Sequence, residues 1–256
     1  MRKLSTRDVV APLVLATVLL AGWWLTARFS GIPELLLPSP GTVVSRLGAD
    51  LSGPTIWPYL GVTLVEALGG CLLGAAVAVP LAIATHLSRW WEAAVRPFLG
   101  ATQAIPAIAL APLLVVWIGY GQLPVMVLCA LMVFFPILIP AVVGLAHIDS
   151  SVIDAARVDG AGRWARLAHI EAPLALPHIL SGLRNGFTLS ITGAVVGEMV
   201  MGGNGMGTIL TLEREAADTA GMFATLIILC SIAAAIYSLI QLAERRLSLV
   251  DTPVRP

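Results

Sequence analysis

Polar residues in this chain arrive in short bursts separated by long apolar runs. A helix needs about 20 largely apolar residues to cross the hydrocarbon core of a bilayer. Six runs meet that need: Val9 to Ala27, Leu60 to Thr85, Leu99 to Ile118, Leu123 to His147, Leu176 to Met201 and Met222 to Leu242. The first is bounded by Arg7 and Asp8 before it and by Arg28 after it. It ends in Trp23 and Trp24 rather than at a small-residue cleavage site, so it reads as a retained helix and not a leader peptide. Pro106, Pro112, Pro136 and Pro140 interrupt the middle spans. Proline is tolerated in a membrane helix where neighbours satisfy the freed carbonyls, so these helices are expected to be kinked and packed in a bundle. The expected fold is an all-α membrane protein with six transmembrane helices, residues 1–256 forming a single transmembrane domain.

Composition supports the bilayer as solvent. The chain is 58% hydrophobic and 12% charged, against about 45–50% apolar and roughly 25% charged in a soluble domain. Net charge is zero, so no bulk basic field points to nucleic acid. Charge placement sets the orientation. With the amino terminus inside, the inner segments hold Arg2, Lys3, Arg7, Arg89, Arg96, Arg157, Arg163, Arg166, Arg184, Arg245, Arg246 and Arg255. The outer segments hold only Arg28, Arg46 and Arg214. Twelve against three places both termini in the cytoplasm. The outer stretch from Gly31 to Pro58 is rich in Pro and Gly and is expected along the interface.

Within the spans, Gly70, Gly74 and Ala78 recur every four residues and let another helix approach closely. Packing within the chain is the favoured use of that stripe over a subunit contact. Glu66 lies one turn earlier on the same face. It and Glu198 are the two intramembrane carboxylates, and such groups face a bundle interior or a water-filled cavity. Cys71, Cys129 and Cys230 sit in apolar stretches as packing residues, not as a disulfide framework or metal site. His86, His147, His169 and His178 show no metal-ligand spacing. No phosphate loop, nucleophile elbow or H-E-x-x-H pair is present, so no catalytic residue and no cofactor is expected. The glycines Gly202, Gly203, Gly205 and Gly207 read as a flexible turn after the fifth span.

The inner segment between spans four and five differs from the other connections. It runs from Asp154-Ala155-Ala156-Arg157 through Asp159, Gly160 and Gly162 to Ile170 and Pro173. The pattern predicts a short helix, a glycine break at Gly160 to Gly162, and a second short helix stopped by Pro173. Ala155 and Ala156 are small enough for a partner's groove to approach the backbone. Gly160 permits the left-handed turn that reverses the chain.

This segment resembles the EAA loop of ATP-binding-cassette importer permeases: E-A-A, three residues, G, nine residues, I-x-L-P. Asp154, Ala155, Ala156, Gly160, Ile170 and Pro173 fall in that register, with Asp154 replacing Glu and Ala172 replacing Leu. Leu36-Leu37-Pro38-Ser39-Pro40, the run Ala111 to Gly121, and Val195-Val196-Gly197-Glu198-Met199 resemble the nitrate, sulfonate and taurine type of these permeases. The resemblance implies a single permease domain, a homodimer in the bacterial inner membrane, and a coupling helix that docks one ATPase subunit per chain. It also implies an extracytoplasmic solute-binding protein as partner. The residues it assigns to ATPase coupling are Asp154, Ala155, Ala156, Arg157, Asp159, Gly160, Gly162, Ile170 and Pro173. Glu198, Glu66 and Trp117 are the expected path residues. The implied cargo is an oxyanion or a heterocyclic vitamin precursor. An ion-coupled secondary transporter or channel is the alternative.

Overall fold

The structure, a computed structural model, describes residues 6–101 and 106–247. Arg2, Lys3 and Arg255 of the charge count lie outside the described residues, as do the side chains of Arg7, Arg245 and Arg246. Among the described residues the regular structure is all helical, with no strand. In order, the helices are α1 (Thr6–Phe29), α2 (Pro40–Ser52), α3 (Ile56–Leu87), α4 (Arg89–Ala101), α5 (Ala111–Ile118), α6 (Gln122–Ala146), α7 (Ser150–Val158), α8 (Arg163–Arg166), α9 (Ala172–Met201), α10 (Met206–Glu215) and α11 (Thr219–Leu247). A 3-10 turn, Ala107–Leu110, precedes α5, and a π turn, Leu167–Glu171, joins α8 to α9.

Among the described residues, four single helices are long and apolar enough to cross a membrane: Val10–Phe29, Ile56–Leu87, Gln122–Ala146 and Thr219–Leu242. A fifth span is obtained when Arg163–Met201 and Met206–Glu215, bent by 52°, count as one. The expected span from Leu99 to Ile118 is not one helix. α4 ends at Ala101, and the described chain resumes at Pro106 with the 3-10 turn and the eight residues of α5. Ala107–Ile118 rises only about 18 Å at 1.5 Å per residue, short of a hydrocarbon core about 30 Å thick. Pro106 and Pro112 lack the N–H groups that would continue one helix through this stretch.

The helices fall into two compact units. The first comprises residues 6–58 and Ile209–Leu229. Within the Pro- and Gly-rich stretch from Gly31 to Pro58, Pro40–Ser52 forms the 13-residue helix α2. Ser39 caps it by accepting from the Thr42 N–H, and Pro40 occupies the first turn, where a missing N–H costs nothing. Arg46 of α2 bonds Asp50 at 2.9 Å, reaches Glu213 at 3.8 Å and bonds Asp218. Trp23 donates to the Pro38 carbonyl at 3.1 Å and stacks on Phe223 with ring centroids 5.5 Å apart.

The second unit comprises Tyr59–Thr208 and residues 230–247. Its core is α3, α6 and α9. The small-residue stripe of α3 packs on α6: a Cβ at Gly70 would sit 2.2 Å from Cys129 Cβ, and one at Gly74 would sit 2.5 Å from Val133 Cγ2. The stripe is therefore used inside the chain. Gly182, Gly186, Gly193 and Gly197 of α9 also press on α6, and two of them meet Val133 and Cys129, which the α3 stripe touches as well. Pro140 offers no N–H to the Pro136 carbonyl four residues back, and that carbonyl lies against Gly182 instead. Ser190 of α9 donates to the Ala67 carbonyl of α3 at 2.7 Å. Close backbone approach and buried hydroxyls are how helices associate where lipid is as apolar as the side chains.

Candidate functional site

Asp149 begins the loop by accepting from the Ser151 N–H at 2.9 Å, which caps α7 and holds the Asp149 carboxyl below its usual range. α7 ends in a Schellman turn: the Gly160 N–H donates to the Arg157 carbonyl and the Ala161 N–H to the Ala156 carbonyl. Gly160 takes φ +78° to close it. Asp154, Ala155, Arg157, Asp159, Gly160 and Gly162 are all exposed. Ala156 is buried, so of the two alanines of the motif only Ala155 lies on the exposed face. Asp154 and Arg157 pair at 3.1 Å on the surface, where such a bridge contributes little. Val158 is 88% exposed and Trp164 71% exposed, so this tip presents large apolar side chains to its surroundings.

The expected stop at Pro173 does not occur. The helix begun at Arg163 runs through the π turn directly into α9, with the Ala172 N–H bonded to the Leu167 carbonyl five residues back. The widened turn takes up the proline, whose missing N–H falls in the first turn of α9. Ile170 is half-buried and Pro173 exposed. The same turn carries a contact absent from the motif's pattern. Glu171, 0% exposed, accepts from Arg166 Nε at 2.6 Å and from His86 Nε2, at the end of α3, at 2.9 Å.

The intramembrane carboxylates form a second polar cluster. Glu66 and Glu198 are each 1% exposed. The Thr63 hydroxyl donates to Glu198 Oε1 at 2.6 Å, and the Gly207 N–H donates to Oε2 at 2.5 Å. The Met206 N–H donates to Thr63 Oγ1 at 2.8 Å. The glycines after α9 are thus not a flexible turn. A Cβ at Gly205 would lie 2.1 Å from Glu198 Oε1 and one at Gly207 2.2 Å from the Val195 carbonyl, so the chain is folded tightly over Glu198. Trp117 stands apart on α5, 71% exposed. Thr63 was invisible to pattern reading, because a lone Thr in an apolar run carries no period.

A cavity of about 480 Å³ opens between the 3-10 turn, α6 and α9. Pro106, Ile108, Met132, Phe135, Pro136 and Leu189 are among its lining side chains, and no described residue lining it is charged. No group of three His, Cys, Asp or Glu among the described residues could hold a metal. Cys71 and Cys129 are buried and unpaired, while Cys230 is exposed.

Known proteins are similar to this chain in sequence and in fold. A family described as the binding-protein-dependent transport system inner membrane component matches residues 70–249. The riboflavin transport system permease protein of Chloroflexus aurantiacus is 41% identical over 90% of this chain and 86% of its own length. A probable ABC transporter permease protein of Haemophilus influenzae is 34% identical over 90% of this chain and 93% of its own. A chain of the MetNI methionine ABC transporter, solved in inward-facing conformations, superposes with a TM-score of 0.68 at 18% identity, covering 77% of this chain and 99% of that one. The apolar spans, the loop register and these similarities converge: the chain belongs to the binding-protein-dependent transport system inner membrane component family, the multi-pass permeases of ABC importers.

Proposed function

We propose that this chain forms the path for a small solute and couples its passage to ATP hydrolysis on a separate subunit. The observation that carries the reading is the exposed tip Asp154 to Gly162, closed by a left-handed glycine and continuous through one helix with the span α9. A push on that tip is delivered directly to a membrane span. Asp154, Ala155, Arg157, Asp159, Gly160 and Gly162 contact the ATPase; buried Ala156 supports that surface from behind, and Ile170 and Pro173 anchor the loop to α9. A dimeric ATPase, a second copy of this chain and an extracytoplasmic solute-binding protein complete the assembly. The loop and both termini face the cytoplasm, as the charge bias supports. The broken stretch from Leu99 to Ile118 completes a sixth span. The path runs beside α5, α6 and α9. Trp117 lines it, and Glu66 and Glu198 join it only when the turn over Glu198 opens.

The cargo is an uncharged or weakly charged heterocycle of the flavin or pyrimidine type. The apolar lining of the 480 Å³ cavity and the riboflavin-transport relative support it. An oxyanion would need a cationic partner there. Binding of riboflavin and of taurine by the solute-binding protein encoded beside this chain tests the class; taurine binding alone refutes it.

The docking role is tested by two glycines. A Cβ at Gly160 or at Gly162 would meet nothing within 4 Å, so only backbone conformation separates them. Gly160→Val forces a β-branched residue into a left-handed conformation, at a cost of roughly 1–3 kcal/mol, and re-aims the tip. Gly162 has φ −65°, which alanine adopts freely. Gly160→Val should insert in the membrane but lose ATPase co-purification and uptake, while Gly162→Ala keeps both. Normal co-purification and uptake with Gly160→Val would rule out the docking role. Uptake that persists with the ATPase inactivated would favour an ion-coupled transporter instead.

A further inference from the structure

We propose that Glu171 is a positioning residue for coupling: its carboxylate ties the loop-bearing helix to the end of α3, so that α3 follows the loop and one pull moves two spans. The proposal rests on the docking reading above and adds a route for the motion that the loop register does not contain.

The geometry is specific. Glu171 and Arg166 are five residues apart. On a regular α-helix, residues i and i+5 point about 140° apart around the axis and do not meet. The π turn Leu167–Glu171 closes at i→i+5 and brings residue i+5 back over residue i. Arg166 Nε therefore lies 2.6 Å from Glu171 Oε1. The same rotation aims the other oxygen at α3, where His86 Nε2 lies 2.9 Å from Oε2. One oxygen serves the loop side and the other serves the neighbouring span. The carboxylate is a two-ended link.

The link is also buried where a charge is costly to place. Glu171 is wholly enclosed, and both of its partners are half-buried. A buried ion pair holds two elements together no better than well-packed apolar side chains would, but removing one partner strands the other charge. What such a pair adds is a fixed pairing of two particular positions. Here the positions are the first helical turns after the loop and the last turn of α3. A cavity of about 160 Å³, lined by Thr85, His86, Glu92, Val142 and Ala146, adjoins the imidazole. The end of α3 can therefore shift with the loop without displacing packed core. Nothing else in the motif requires Glu at this place, since the register runs Ile170, any residue, Ala172, Pro173.

The test uses the complete transporter with its ATPase, in a Cys230→Ser background that leaves only the buried Cys71 and Cys129. Spin labels are placed at Ser88→Cys, just past α3, and Ala165→Cys, exposed on the loop-bearing helix outside the docking tip. Labelled chain is diluted into unlabelled chain so that only pairs within one chain report. The Ser88–Ala165 separation is measured without nucleotide and after vanadate trapping. The expected result is an unchanged separation in the parent and a shifted or broadened one in Glu171→Gln, with a loss of transport per ATP hydrolysed. His86→Leu, which cuts only the α3 arm and leaves Glu171 with Arg166, should do the same if Glu171→Gln does not fold. Arg166→Lys, which keeps the charge, should restore part of the coupling lost in Arg166→Met. The proposal is overturned if trapping changes the separation in the parent. It is equally overturned if the variants keep it unchanged with the ATPase bound. Failure of the docking reading registers separately, as normal ATPase binding by Gly160→Val.

Discussion

Replacing Glu198 with alanine distinguishes a buried clamp from a residue that simply lines an open path. Glu198 accepts from Thr63 at 2.6 Å and from the Gly207 N–H at 2.5 Å, and it is 1% exposed. Alanine removes both bonds and leaves a void beneath the turn at Gly203 to Gly207. A hydrogen bond contributes roughly 0.5–1.5 kcal/mol net in soluble proteins. Double-mutant cycles within a bilayer average about 0.6 kcal/mol and reach about 1.7. Thr63 keeps a fallback, because its hydroxyl also lies 3.3 Å from the Tyr59 carbonyl. The two bonds and the void together give an expected loss of about 2–4 kcal/mol for Glu198→Ala. Glu198→Gln preserves shape and one acceptor oxygen, so it should cost about 1 kcal/mol. Thr63→Val removes the hydroxyl at constant volume, and its coupling to Glu198→Ala should be about 1 kcal/mol or more. The assay is reversible unfolding in mixed detergent–lipid micelles, followed by the fluorescence of the seven tryptophans. A Glu198→Ala protein within about 0.5 kcal/mol of the parent would refute the clamp and show a solvated carboxylate.

Three further outcomes follow from packing and capping. Gly70→Ala places a Cβ 2.2 Å from Cys129 Cβ and 2.8 Å from the Met126 carbonyl, so α3 and α6 must separate; overpacking of this kind costs about 1–3 kcal/mol in the same unfolding assay. Gly61→Ala, on the same helix but with nothing within 4 Å, should instead stabilise by up to about 1 kcal/mol through helix propensity. Asp149→Ala should speed amide exchange across α7, whereas Asp149→Asn, which also caps, should not. Because folding lowers the Asp149 pKa, the cap's contribution is full at neutral pH and lost as pH falls through the acid range, so exchange in α7 should rise on acidification.

The sequence by itself determined the solvent, the fold class and the family. Hydropathy is additive along the chain, so the long apolar runs at Val10–Phe29, Ile56–Leu87, Gln122–Ala146 and Thr219–Leu242 could be read without knowing what packs where. Gly160 was legible for a similar reason, since a left-handed helix stop is a local matter of φ and of bonds to Ala156 and Arg157. The break within Leu99 to Ile118 was not legible, because hydropathy there is continuous while the prolines interrupt the hydrogen-bond ladder. Pro173 misled in the opposite sense: proline forbids one N–H bond, and a turn closing five residues back removes the need for it. Only tertiary structure decided which polar groups meet. Glu198 finds Thr63 across 135 positions and Glu171 finds His86 across 85. No local pattern encodes such pairings, because in a low-dielectric interior each buried polar group settles on whichever partners the packed helices bring within hydrogen-bond reach.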